Sequence, residues 1–127
     1  MAVKTQALED WYVFVGVSGE LDAYMAPELR ETVEKVLDGG ARWLLIDLSE
    51  VEYLDSVGLG ILIGAAQRAG ERRGDIAVVC TRPNVLRVLE VSGTKELLNV
   101  VGTVEEARTR LAASRDQAMS ETSGGEA

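Results

Sequence analysis

Apolar residues in this chain fall into short blocks, and their spacing switches between a strand period and a helix period. Val3 to Leu8 and Trp11 to Val17 read as two strands separated by Glu9 and Asp10, an acidic pair suited to a hairpin turn. Ser18, Gly19, Glu20, Leu21 and Asp22 follow as a loop with a glycine at its bend. The period then lengthens. Pro27 suits the first turn of a helix, and Ala26, Leu29, Val33, Val36 and Leu37 recur at helical spacing until Gly39 and Gly40 stop it. Trp43 to Leu48 (WLLIDL) is near-continuously apolar, as a strand buried on both faces would be.

The alternation continues through the second half. Ile61 to Ala69 carries a helix, Glu71 to Gly74 breaks it, and Ile76 to Cys80 forms another apolar strand. Arg68, Arg72 and Arg73 read as part of a solvated helix face. Pro83 to Val91 predicts a short helix with Val85, Leu86 and Leu89 inward, and Gly93 stands where a left-handed cap would end it. Leu97 to Val101 reads as a last strand. Thr103 and Glu106 make a capping box before a final helix whose Val104, Ala107 and Leu111 share a face. Beyond Ala113 the residues are small, polar and charged without periodicity, which predicts a disordered tail over 114–127 after a domain over 1–113. A hairpin followed by alternating helices and strands implies a single α/β domain: a mixed β-sheet of about five strands with about four helices packed on it.

Composition narrows what such a domain can do. The chain has 127 residues, 46% of them hydrophobic, enough for one core and too few for a second domain. A formal net charge of -8 argues against neutralising nucleic-acid phosphates or docking on anionic lipid, and points to a neutral or basic partner. The N-terminus has no apolar signal-like run, and Val57 to Ala66, the longest stretch without a polar side chain, is too short to span a bilayer. A cytoplasmic location is expected. The single cysteine, Cys80, precludes an internal disulfide and reads as a buried thiol. With no histidine, a Ser-His-Asp or Cys-His nucleophile pair and a histidine-bearing zinc site are excluded. No catalytic residue, cofactor or metal is expected.

The chemistry concentrates in Asp55, Ser56, Val57, Gly58, Leu59 and Gly60, where strand character gives way to helix. Asp55 and Ser56 are both good N-cap types, and backbone N–H groups with the positive end of the helix dipole gather there. One reading is a plain helix cap with glycines for close packing. Yet glycines in a helix cost about 1 kcal/mol each relative to alanine, so packing or access for another molecule must compensate. Gly58-Leu59-Gly60 with Gly64 puts the third glycine one position late for a dinucleotide loop, and no Walker-type run exists. Leu54 stands where a nucleophile elbow needs glycine.

The segment LIDLSEVEYLDSVGLGILIGAAQRA, residues 45–69, resembles the signature of STAS domains, and most closely the small anti-sigma-factor antagonists of bacteria. SGELD at 18–22, PELRE at 27–31 and VLEVSG at 88–93 agree with that family in order and spacing. The resemblance implies that Ser56 is a phosphorylation site. It implies that the unphosphorylated form binds an anti-sigma factor with GHKL-type serine kinase activity, displacing the sigma factor, and that phosphorylation ends binding until a PP2C-type phosphatase reverses it. Asp22 would lie beside Ser56, Asp55 would support the serine, and Glu20, Asp22, Asp55, Ser56, Val57, Gly58 and Leu59 would form the partner surface. Val57 and Thr94 depart from common family residues; Val57 adds an apolar contact, and Thr94 is expected to alter local packing only. Neither nucleic acid nor membrane is implied. Competing readings are a STAS scaffold or accessory subunit of a stress-signalling assembly or lipid transporter, and a small nucleotide-binding enzyme.

Overall fold

The computed structural model describes residues 2–9 and 11–124, with side chains over 2–6 and 11–120. Five strands form one sheet in the order β1-β2-β3-β4-β5. β1 (Ala2–Glu9) pairs antiparallel with β2 (Tyr12–Leu21); β3 (Trp43–Leu54), β4 (Asp75–Val79) and β5 (Val100–Val101) continue in parallel. The helices α1 (Ala26–Asp38), α2 (Ser56–Glu71), α3 (Pro83–Val91) and α4 (Val104–Gly124) alternate with the later strands. This is the expected α/β architecture with a mixed sheet of five strands and four helices. The proposed turn at Glu9 and Asp10 includes a residue outside those described.

The sheet is covered on both faces. Val15, Leu44, Ile46, Ile76 and Val78 face one way and pack with Leu29, Val33, Leu62, Val85 and Leu89 of α1, α2 and α3. Tyr12, Trp43, Leu45, Ala77 and Val79 face the other way, under Ala107 and Leu111 of α4. Double coverage explains the unbroken apolar runs in β3 and β4. Across the helical layer, Arg68 pairs with Glu34 at 3.4 Å and Arg72 with Asp38 at 3.1 Å, so two arginines expected on a merely solvated face bridge α2 to α1. Among the described residues no helix is long and apolar enough to cross a membrane.

Three boundaries differ from the sequence expectation. β2 and β3 run past Val17 and Leu48 to Leu21 and Leu54, so SGEL is strand and not loop. The register slips between Gly16 and Ser18 and again between Gly19 and Glu20, with β3 contributing the extra residue each time. Gly19 takes φ 91, a left-handed conformation that glycine adopts without steric cost. The last strand shrinks to Val100 and Val101, because Leu98 and Asn99 lie in a turn with Asn99 at φ 51.

The tail is the third correction. α4 continues to Gly124, so residues 114–124 are helical where a disordered tail over 114–127 is expected; residues 125–127 lie outside the description. Contacts that composition does not reveal hold it. Ser114 Oγ donates to Asp75 Oδ2 at 3.0 Å, the Arg115 guanidinium lies 4.1 Å from the Trp11 ring centroid, and Ala118 packs against the core beneath. Its start matches expectation: the Thr103 hydroxyl accepts from the Glu106 N–H at 3.1 Å.

Candidate functional site

β2 and β3 end side by side, with Leu21 opposite Leu54, and the chain leaves each strand at the same pole of the domain. Asp55, immediately after β3, is extended at φ -104 and ψ -177 and caps α2. Its Oδ1 accepts from Val57 N–H at 3.0 Å and Gly58 N–H at 2.9 Å. Its Oδ2 accepts from Ala23 N–H at 3.1 Å, and its own N–H donates to the Leu21 carbonyl at 3.3 Å. One carboxylate therefore ties the start of α2 to the chain just beyond β2. Sequence left open which of Asp55 and Ser56 is the cap. Asp55 takes that work, and Ser56 becomes the first helical residue, exposed and with its hydroxyl in no hydrogen bond among the described residues.

Asp22 is used locally. Its Oδ1 accepts from Tyr24 N–H at 3.1 Å and Met25 N–H at 3.0 Å, and its carbonyl accepts from Ala26 N–H at 2.7 Å. These bonds fix the turn between β2 and α1, an arrangement typical of aspartate. Because Ala23 is in turn bonded to Asp55, the SGELD and DSVGLG segments meet as one unit.

Gly58 is buried, and its role is steric. A Cβ there would lie 2.3 Å from the Leu21 carbonyl oxygen and 2.9 Å from Leu54 Cδ1, so only glycine lets α2 approach the strand ends this closely. Gly60 differs: a Cβ there would meet nothing within 4 Å. Packing accounts for the first glycine and leaves open space over the second. Leu59 is half-buried against the core, Val57 is 45% exposed, and Glu20 is exposed beside Tyr53, its register partner on β3.

Of the expected surface residues, then, Glu20, Ser56 and Val57 present themselves to solvent, Asp22 and Asp55 shape the backbone beneath, and Gly58 lies underneath. Two exposed aromatics at this pole were not anticipated: Tyr24, 87% exposed, and Tyr53, 50% exposed. Nothing in their local sequence marks them, since exposure of a tyrosine is decided by strand parity and turn geometry. Away from the pole, Cys80 is buried as expected. Burial pushes its thiol up from the ordinary 9.0, against smaller opposing effects of the backbone N–H and charge of Arg82. Thr94 is also buried, its hydroxyl 2.8 Å from that of Ser92 at the end of α3, in keeping with a packing role.

The site is thus an exposed serine on the first turn of the helix that follows the central strand of a mixed five-strand sheet. The chain belongs to the STAS domain family, whose model matches residues 2–107. It is 32% identical over 92 residues to the anti-sigma-B factor antagonist of Staphylococcus aureus (strain NCTC 8325 / PS 47), covering 72% of this chain and 85% of that protein. A crystal structure of an anti-sigma factor antagonist from Mycobacterium paratuberculosis superposes with a TM-score of 0.78 at 31% identity, covering 87% of this chain and 95% of that one. The fold is also shared, at 21% identity, by the anti-sigma factor antagonist SpoIIAA in its unphosphorylated form (TM-score 0.74; 88% of this chain, 97% of that one) and by Bacillus SpoIIAA in the phosphorylated form (TM-score 0.67; 86% and 98%).

Proposed function

We propose that this chain is an anti-sigma factor antagonist controlled by phosphorylation of Ser56. In its unphosphorylated form it binds an anti-sigma factor with GHKL-type serine kinase activity through the surface where Glu20, Ser56 and Val57 are exposed, held in shape by Asp22, Asp55, Gly58 and Leu59, and the sigma factor is released. The kinase then phosphorylates Ser56 and binding ends; a PP2C-type phosphatase restores it. The observation that carries this reading is the division of labour at the head of α2. Asp55 satisfies the capping N–H groups, so the exposed Ser56 hydroxyl is available for modification without dismantling the helix start.

The physics of the switch follows from that placement. A phosphoserine adds about -1.5 to -2 charges and three acceptor oxygens at pH 7. At the first helical position the dipole favours it, while the Asp55 and Asp22 carboxylates nearby oppose it, each by about 1 kcal/mol in a solvated setting. The fold survives this near balance, and SpoIIAA keeps the same fold in its two forms. A docked interface offers no such balance, because the dianion must lose its water. A penalty of about 3 kcal/mol weakens binding more than a hundredfold.

The test uses purified GHKL-type anti-sigma factors from the genome that encodes this chain. Ser56→Ala is expected to bind as wild type does and to stay bound when ATP is added, whereas Ser56→Asp binds at least about tenfold more weakly. Mass spectrometry after the ATP reaction places the phosphate on Ser56. Equal affinities for the alanine and aspartate variants, or a phosphate on another residue, would refute the proposal.

A further inference from the structure

Among the described residues six large apolar side chains are strongly exposed, and three of them, Tyr24, Tyr53 and Val57, converge on the Ser56 pole. The bonds already described fix their proximity. Ala23, next to Tyr24, and Val57 both donate to the Asp55 carboxylate, and Tyr53 lies two positions before Asp55. The tyrosine backbones are held as well. Tyr24 N–H is bonded to Asp22, and the carbonyl of Glu52, adjacent to Tyr53, accepts from Asn84 Nδ2 at 2.6 Å. Exposed rings on a pinned backbone lose little freedom on binding, which is the character of an interface anchor.

Charge identifies what such anchors meet. No lysine or arginine occurs between Lys4 and Arg30 or between Arg42 and Arg68, the two stretches that build this pole. Their exposed or half-buried charges are all carboxylates, including Glu20, Asp22, Glu52 and Asp55. Arg82, at the start of α3, reaches the Ser49 carbonyl at 3.5 Å and makes no ion pair with them among the described residues. We infer that Tyr24 and Tyr53 are the affinity-determining anchors of the partner surface, and that they dock on a basic face of the anti-sigma factor whose arginine side chains stack on the rings and pair with Glu20 and Glu52. This rests on the function proposed above and goes beyond it, since neither tyrosine is among the residues named there. Arginine over a tyrosine ring combines the aromatic and charge complementarity that this surface offers.

The experiment measures dissociation constants for the purified GHKL-type anti-sigma factor with wild type, Ser56→Asp, Tyr24→Ala, Tyr53→Ala and Tyr53→Phe, alongside a thermal melt of each. Each tyrosine-to-alanine change is expected to weaken binding at least about tenfold with an unchanged melt, and Tyr53→Phe to keep most of the affinity. Raising salt weakens wild-type binding, and the double variant Glu20→Gln/Glu52→Gln shows a shallower salt dependence. If wild type binds and Ser56→Asp does not, while both alanine variants bind as wild type, the anchors are refuted and the Ser56 switch stands. A wild-type chain that binds none of the anti-sigma factors overturns both.

Discussion

Replacing Gly58 by alanine tests whether the approach of α2 to the ends of β2 and β3 is what assembles the site. The added Cβ would sit 2.3 Å from the Leu21 carbonyl oxygen, at least 0.7 Å inside the 3.0 Å below which real Cβ contacts essentially never fall. The obstacle is backbone, so no side-chain rotation relieves it, and α2 must retreat. A retreat of that size carries the Asp55 N–H to Leu21 carbonyl bond, already 3.3 Å long, out of hydrogen-bonding range. Overpacking of this kind costs about 3 kcal/mol, and the better helix propensity of alanine returns about 1, leaving a net loss of about 2 kcal/mol. For a chain of this length that lowers the melting temperature by about 8 °C. Gly60→Ala is the internal control. Its Cβ meets nothing, so it should raise the melting temperature by about 4 °C through propensity alone. Thermal and urea unfolding followed by circular dichroism measure both. A Gly58→Ala protein that melts at or above the wild-type temperature would refute the steric account of the motif.

Two further outcomes are expected. A chain ending at Ala113 loses the Ser114 bond to Asp75 and the Arg115 contact with Trp11, and should be about 2 kcal/mol less stable in urea. A truncated protein as stable as the full chain would show that the second half of α4 contributes nothing. Because the folded pKa of Cys80 is raised, the unfolded thiol ionises first, so its contribution to stability is intact below about pH 9 and is lost as pH rises further. Comparing wild type with Cys80→Ala between pH 7 and 10 should show a steeper decline for wild type; parallel declines would place the thiol in water.

The sequence disclosed the parts whose signals are local. WLLIDL is buried on both faces and reads so; the helix from Ala26 to the Gly39-Gly40 stop carries its stripe in plain view. Ser56 and its neighbours were legible through motif resemblance. What stayed hidden depends on partners distant in sequence. SGEL and SEVEYL look polar and loop-like, yet β2 and β3 satisfy each other's backbone there and bury Leu21, Val51 and Leu54 in alternation with charged residues. The helical tail depends on Trp11, which lies a hundred residues before it along the chain. Which of two adjacent capping residues would accept the N–H bonds could not be settled without the strand end that orients Asp55 toward both Ala23 and Val57.

The two register slips between β2 and β3 set a rule for how this segment can change in length. β3 spends two residues more than β2 to reach the same level, and its inward positions step from Leu48 to Val51 to Leu54, three at a time. Each slip takes up one extra residue of β3 as a bulge and leaves the inward face where it was, since Val51, between the two slips, is buried in the same cluster as Leu48 and Leu54. Removal of Glu52 would leave Val51, Tyr53 and Leu54 in plain alternation opposite Gly19, Glu20 and Leu21, with Tyr53 still outward and Leu54 still inward. The distance from WLLIDL to DSVGLG thus has slack that is taken up one residue at a time, and loss of a single bulged residue within it should leave the head of α2 in place.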